Sequence, residues 1–291
     1  MTVFVALVLE FLAGDPQNKH HPVAWFGHWA ASIEKQFYQP TVFAGIKAWL
    51  IAIGIPMLAT TFLYLMFGWL FSVVALWLCL GWKSLFEHVE AVIKAKTVKE
   101  AREALLWIVS RDVKAMKRED TRRAALESLA ENASDAVVAP LFWFVVLGPL
   151  GVIFYRMVNT LDAMWGYRNE RYQYFGWCAA RIDDMMNWIP ARLTAWLMLR
   201  VGKSTPWRMV KMQATTHASP NAGWPEVALA YAAHIRLGGS VKREGKLDER
   251  PWYGAEDARD MDSMAAFEAM QVVKHTLIIA SILAVVVSSV F

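Results

Sequence analysis

Residues 42–82 read VFAGIKAWLIAIGIPMLATTFLYLMFGWLFSVVALWLCLGW, 41 residues whose single charge is Lys47. One bilayer crossing takes about 20 apolar residues, so the run is long enough for two. It reads as a tight helical hairpin with spans near 42–60 and 61–82 and a turn near Thr60 or slightly later. The ends of the chain repeat the signal more weakly. Residues 1–13 are apolar except for Glu10 and read as a short span, with an interfacial helix as the alternative, and Thr276–Phe291 carries no charge, which places a further span near 275–291. Residues 136–161 are apolar but interrupted by Pro140 and by Gly148-Pro149-Leu150-Gly151. Proline removes a helix donor and glycine weakens helical order. Each half is then too short to span, and the reading is a re-entrant hairpin whose broken backbone is covered by protein; one kinked span is the alternative. Residues 188–202 are short, carry Arg192 and Arg200, and read as interfacial.

Composition agrees. Hydrophobic residues make up 56% and charged residues 19%, and the charges are concentrated between the apolar runs. The pattern excludes a disordered or coiled-coil chain. The fold class is an all-α integral membrane protein with about four transmembrane helices, re-entrant or interfacial helices and a cytoplasmic helical portion. The net charge of +4 fits lysines and arginines flanking spans rather than nucleic acid, for which no binding motif is present. The polar segments 14–41, 83–135, 159–187 and 203–274 hold the candidate chemistry. Segment 83–135 carries 11 lysines and arginines, which assigns that side to the cytoplasm.

Within those segments the familiar motifs are missing: no GxGxxG, GxSxG or HExxH occurs, and Gly239–Lys246 departs from the P-loop spacing. Cys79 and Cys178 build neither a disulfide framework nor a zinc site. What stands out is polar residues at helical spacing. Glu127, Glu131 and Asp135 recur every four residues. Like charges so placed repel, so the face needs a cation or basic group against it unless it is simply solvated. Asn159 and Asp162 are three apart, Arg168-Asn169-Glu170-Arg171 are consecutive with Arg168 and Arg171 spaced to share one helix face, Arg181 and Asp184 are three apart, and Asp183 and Asn187 are four apart. Arginine forks suit phosphate or carboxylate oxygens, and carboxylates with Asn oxygens suit Mg²⁺; a bracing ion-pair network is the structural alternative. His217-Ala-Ser-Pro-Asn-Ala-Gly-Trp-Pro225 reads as a structured loop, with Pro225 and Glu226 opening a helix. Gly14-Asp15-Pro16 and His20-His21-Pro22 read as turns.

These residues also carry a resemblance. Gly14-Asp15-Pro16, His21-Pro22-Val23, Arg111-Asp112 and Glu127-Ser-Leu-Ala-Glu-Asn-Ala-Ser-Asp135 are followed by Asn159-Thr-Leu-Asp-Ala-Met164, Gly166-Tyr-Arg-Asn-Glu-Arg-Tyr172 and Ala180-Arg-Ile-Asp-Asp184. Pro190-Ala-Arg192, Ser219-Pro-Asn-Ala-Gly-Trp-Pro-Glu226 and Arg236-Leu-Gly-Gly239 complete the series. In this order they resemble the CbiB/CobD family of cobalamin biosynthesis, the adenosylcobinamide-phosphate synthases. Ala136 departs from the family's Ser-Asp-Gly pattern. The resemblance implies an ATP- and Mg²⁺-dependent amide ligase of the inner membrane, joining adenosylcobyric acid to aminopropanol or its phosphate. Membrane lipid, other membrane-bound enzymes of the pathway and a second copy of the chain are the partners it implies. Glu127, Glu131, Asp135 and His217 are then the catalytic candidates. Asn132, Asn159, Arg168, Asn169, Arg171, Arg181, Arg192, Ser219, Asn221 and Glu226 are the substrate-binding candidates. Asp162, Glu170, Asp183 and Asp184 are the Mg²⁺ candidates. A non-catalytic membrane sensor on the same scaffold is the alternative; a transporter would need polar residues within the spans, which the clear spans lack.

Overall fold

The computed structural model describes residues 1–14, 16, 21–109, 111–203, 207–243 and 246–290. Asp15, His20 and part of the Gly239–Lys246 stretch lie outside the described residues. The chain is helical almost throughout. Among the described residues, three stretches are long and apolar enough to cross a membrane, Val42–Lys94, Arg118–Trp165 and Ser263–Val290, and Thr2–Ala13 is a shorter apolar helix. The protein is an all-α membrane protein.

The chain forms two compact units, the first made of Met1–Gly81, Ala139–Asn187 and Leu283–Phe291, the second of Trp82–Val138 and Trp188–Ile282. The first begins with α1 (Thr2–Ala13), which stops at Gly14, where φ is 66°. In α2 (Pro22–Phe37), Pro22 occupies the first turn and the Nδ1 of His21 accepts the N–H of Val23 at 3.1 Å. The His-Pro pair is thus a helix start. α3 (Val42–Cys79) is capped by Thr41 and contains Pro56 without breaking there. Pro56 has no N–H for the carbonyl of Ala52 four residues back, and the indole N–H of Trp29 takes that oxygen instead at 3.1 Å. The expected turn near Thr60 is not where the helix breaks. The Thr60 and Thr61 hydroxyls donate to the Met57 carbonyl within the helix, and the interruption falls at Gly68, with φ 49° and ψ −116°. Only glycine adopts that conformation readily.

α4 (Trp82–Lys94), α5 (Val98–Leu105) and α6 (Arg118–Ala133) open the second unit, α5 behind a Thr97/Glu100 capping box. A π-helical turn, Ser134–Val138, leads into α7 (Ala139–Trp165). α7 breaks at Gly148, with φ 67° and ψ −158°, ahead of Pro149, at the interruption read from the sequence. Its second part does not end near 161 but runs to Trp165, so Asn159 and Asp162 are helical. The short α8 (Tyr172–Phe175) and α9 (Trp177–Met186) follow. In the first unit's core, Ala48, Trp49 and Ala52 of α3 pack with Val158, Leu161 and Trp165 of α7 and with Phe175 and Ala179. Gly45 is obligatory there, because a Cβ would collide with the Phe175 carbonyl. Small residues at this spacing let helices approach closely where lipid offers no hydrophobic drive. Farther along α3, Leu58, Phe62, Leu65, Met66 and Leu70 are exposed, a surface suited to lipid.

In the second unit, α10 (Trp188–Val201) buries Ala191, Thr194, Ala195 and Met198 and packs on α12 (Gly223–Ala232), with α11 (Trp207–Ala214) on α12 as well. Two antiparallel pairs sit in the 203–274 segment: β1 (Leu237–Gly238) with β4 (Trp252–Tyr253), and β2 (Val241–Arg243) with β3 (Lys246–Asp248). α13 (Ser263–Val290) starts ahead of the expected 275, so the apolar tail is the end of a 28-residue helix and is long enough to span.

Candidate functional site

Each unit gathers its own polar cluster. In the second, α6 carries Glu127 into the interior, where its side chain is 1% exposed. Oε2 receives Arg111 Nη1 at 2.6 Å and Arg250 Nη2 at 3.0 Å, and Oε1 receives the N–H of Gly238 at 2.8 Å. The cation expected against the Glu127 face is therefore a pair of arginines. A buried carboxylate is tolerated only with such partners. Gly238, at φ 80°, is needed because a Cβ would strike the Pro251 carbonyl.

α12 begins where the Ser219 hydroxyl accepts the N–H groups of Asn221 and Ala222, both at 3.2 Å. Arg192 holds the same loop. It donates to Asn221 Oδ1 at 3.2 Å and to the Trp188 carbonyl at 2.7 Å, with Trp188 and Trp224 rings 4.4 and 4.5 Å from its guanidinium. Ser219, Asn221 and Arg192 thus position the helix that carries Glu226 in its first turn. Glu226 is buried, and burial first, then the charges of Glu127 and Glu131, push its pKa well above the ordinary carboxylate range. Its Oε1 lies 3.7 Å from His217 Nε2. Burial also pulls His217 below its usual pKa, so it favours the uncharged form of both groups. His217 Nδ1 lies 3.0 Å from the Ser219 N–H and 3.2 Å from the Ser219 carbonyl, which accommodates either tautomer. Gly223 makes room, since a Cβ would press on the His217 side chain.

The Glu127–Glu131–Asp135 face does not act as one unit. Glu127 is clamped, Glu131 is half-buried, and Asp135 falls in the π-helical turn, whose wider winding breaks the four-residue register. Asn132 Nδ2 donates to the Ser128 carbonyl one turn back at 2.8 Å.

In the first unit, Asp183 of α9 accepts from Asn187 Nδ2 at 3.0 Å and from Asn159 Nδ2 at 3.4 Å. Tyr155 donates to Asn187 Oδ1 at 2.9 Å. Burial, followed by the nearby charge of Asp162, raises the Asp183 pKa to about 7. Burial raises Asp184 too, opposed by Arg181 and Arg168. A Cβ on Gly166 would collide with the Asp162 carboxylate, so the Asp162–Gly166 pair is a matched one.

The Arg168–Arg171 run is a correction to the sequence reading. Residues 166–171 are a non-helical loop, so Arg168 and Arg171 share no helix face. Arg171 is held by Glu34, with Nε at 3.1 Å and Nη2 at 2.8 Å from Oε1, and the Tyr172 hydroxyl donates to the same oxygen at 2.9 Å. Asn169 Oδ1 accepts the N–H of Tyr172, capping α8. Glu170 is exposed in the loop, and among the described residues no three His, Cys, Asp or Glu side chains come together as a metal group. Arg250 and Glu34 escaped the sequence reading. Their partners are distant in the chain, as with Arg250 and Glu127, 123 residues apart, and no local spacing signals them.

The sequence model of the family described as CobD/CbiB protein matches residues 3–273. The chain is 42% identical over 268 residues to the cobalamin biosynthesis protein CobD of Chromobacterium violaceum, covering 86% of this chain and 85% of that one. It is 42% identical over 265 residues to CobD of Stutzerimonas stutzeri, covering 87% of each. With the cobalamin biosynthesis protein CbiB of Salmonella typhimurium it shares 32% identity over 305 residues, 96% of this chain and 95% of that one. No solved structure matches. With near-complete coverage and these identities, the chain belongs to the CobD/CbiB family of cobalamin biosynthesis proteins.

Proposed function

We propose that this chain is an amide ligase of cobalamin biosynthesis, acting in the inner membrane with its polar segments toward the cytoplasm. It would condense the carboxylate of a cobyric acid with aminopropanol or its phosphate at the expense of ATP. A carboxylate is a poor electrophile. Transfer of the γ-phosphoryl group to it releases ADP and gives an acyl phosphate. The amine nitrogen then attacks the acyl carbon, the C–N bond forms, and inorganic phosphate leaves. The nucleophile arrives as an ammonium ion and must lose a proton first.

The observation that carries the reading is the buried His217–Glu226 pair beside the clamped Glu127. Burial favours the uncharged form of His217, which can accept the ammonium proton. The Ser219 carbonyl is placed to receive Nδ1–H when Nε2 takes that proton. Argued by itself, the Asp162–Asp183 pair fits a divalent cation. Burial and then the charge of Asp162 raise the Asp183 pKa to about 7, and a hard cation relieves the repulsion between the two carboxylates. Asp162 and Asp183 would hold Mg²⁺, which supplies neutralisation of phosphate charge when bound.

The test is amide formation by the full chain in detergent from a cobyric acid, aminopropanol phosphate and Mg-ATP. Product is expected from the natural sequence, and His217→Gln is expected to keep the fold while losing about 10²–10⁴ in kcat, the range of general-base catalysis. Absence of any amide from the natural sequence under these conditions sinks the ligase reading.

A further inference from the structure

Beside Glu127 the second unit forms a half-open cavity of about 220 Å³. That is below the roughly 300–1,000 Å³ of sites for drug-sized ligands, and so too small for a nucleotide or a corrin. Its wall carries both signs: Arg111 and Arg123 against Asp112, Asp120 and Glu127. Arg111 is spent on Glu127 at 2.6 Å. Arg123 is differently placed. Its guanidinium stacks 4.6 Å from the Trp252 ring and is steadied by Asp120 at 2.9 Å, yet its Nε is buried and has no hydrogen-bond partner among the described residues. A buried donor left without an acceptor costs free energy that a ligand oxygen would recover. Asp112 accepts only a local N–H, that of Lys114, among the hydrogen bonds described for it. Between the charged groups lie short apolar side chains, Ala115 among them. Mixed charge disfavours a bare anion or a bare cation and favours a small molecule carrying both.

The geometry points to this cavity as the binding site for a small phosphorylated amine, with Arg123 facing the phosphate and the carboxylate of Asp112 facing the ammonium. This assignment rests on the ligase reading for the choice of amine. Arg123 here is a binding residue, and its donor set needs phosphate: aminopropanol without it would leave Nε unsatisfied.

Calorimetry on the full chain in detergent tests the assignment, with aminopropanol phosphate, aminopropanol and inorganic phosphate as separate titrants and Mg-ATP as a further one. Aminopropanol phosphate is expected to bind at least about tenfold more tightly than either fragment, a difference of about 1.4 kcal/mol. Arg123→Gln is expected to weaken aminopropanol phosphate by about tenfold or more and to leave Mg-ATP within about twofold. Ala115→Leu, at an exposed turn on the cavity wall and changing no charge, is expected to block the same titrant by filling the cavity. Should Arg123→Gln fold but Ala115→Leu and Arg123→Gln both bind aminopropanol phosphate normally, the assignment is wrong. Loss of Mg-ATP binding in both variants would overturn it in favour of a nucleotide site, as would failure of the natural sequence to bind the phosphoamine. Binding without amide formation would leave the site standing and remove the ligase reading. Amide formation with an unchanged KM for the amine in both variants would do the reverse.

Discussion

Asp183 keeps its proton to about pH 7 because it is buried and faces the charge of Asp162. A free carboxyl ionises near pH 3.8, so between these values the folded chain holds a proton that the unfolded chain has released. Stability therefore falls as pH rises from about 4 to 7, with a slope of up to about 1.4 kcal/mol per pH unit from this group. Asp183→Asn should flatten that part of the profile in metal-free thermal melts, and Mg²⁺ should restore stability near pH 8 only in the natural sequence. An Asp183→Asn profile as steep as the natural one would show that the slope comes from other groups. At this scale the sequence was informative where partners are neighbours: Asp183 and Asn187 are one helical turn apart and do bond. It was silent on the Arg250 partnership, and it overread Arg168 and Arg171, whose spacing is helical while their backbone is not.

Glycines make the same distinction among elements. Gly148 and Gly54 both have open space where a Cβ would go, but Gly148 lies at φ 67° whereas Gly54 is inside the regular part of α3. Gly148→Ala should cost about 1–3 kcal/mol through backbone strain alone. Gly54→Ala should gain up to about 1 kcal/mol through helix propensity. Thermal unfolding of the two variants side by side checks the sign; equal shifts would mean that the break at Gly148 is not maintained in the protein. The break at Gly148 was legible because Pro149 and Gly151 surround it. The one at Gly68 was not, since its neighbours Phe67 and Trp69 read as uninterrupted helix. Pro56 does not break α3, and the sequence does not reveal why: the Trp29 indole takes the Ala52 carbonyl that proline leaves without a donor.

For the molecule as a whole, composition and apolar runs were enough for the all-α membrane class, and the three long stretches agree with it. Hydropathy carries no information on which side a loop occupies, so topology needs its own measurement. Cysteines placed at the exposed Lys96, Gln173 and Ser240 should be reached by an impermeant thiol reagent only after the membrane is opened, with native Cys79 and Cys178 buried. Labelling of Gln173 alone from outside would make 136–161 a true crossing. The clamp on Glu127 bears finally on how the protein is made. Arg111 precedes Glu127, but Gly238 and Arg250 leave the ribosome 111 and 123 residues later. By then Val42–Lys94 and most or all of Arg118–Trp165 have already met the insertion machinery. The nascent chain must therefore carry a half-satisfied carboxylate for much of its synthesis, and the second unit can close only as a late step of maturation.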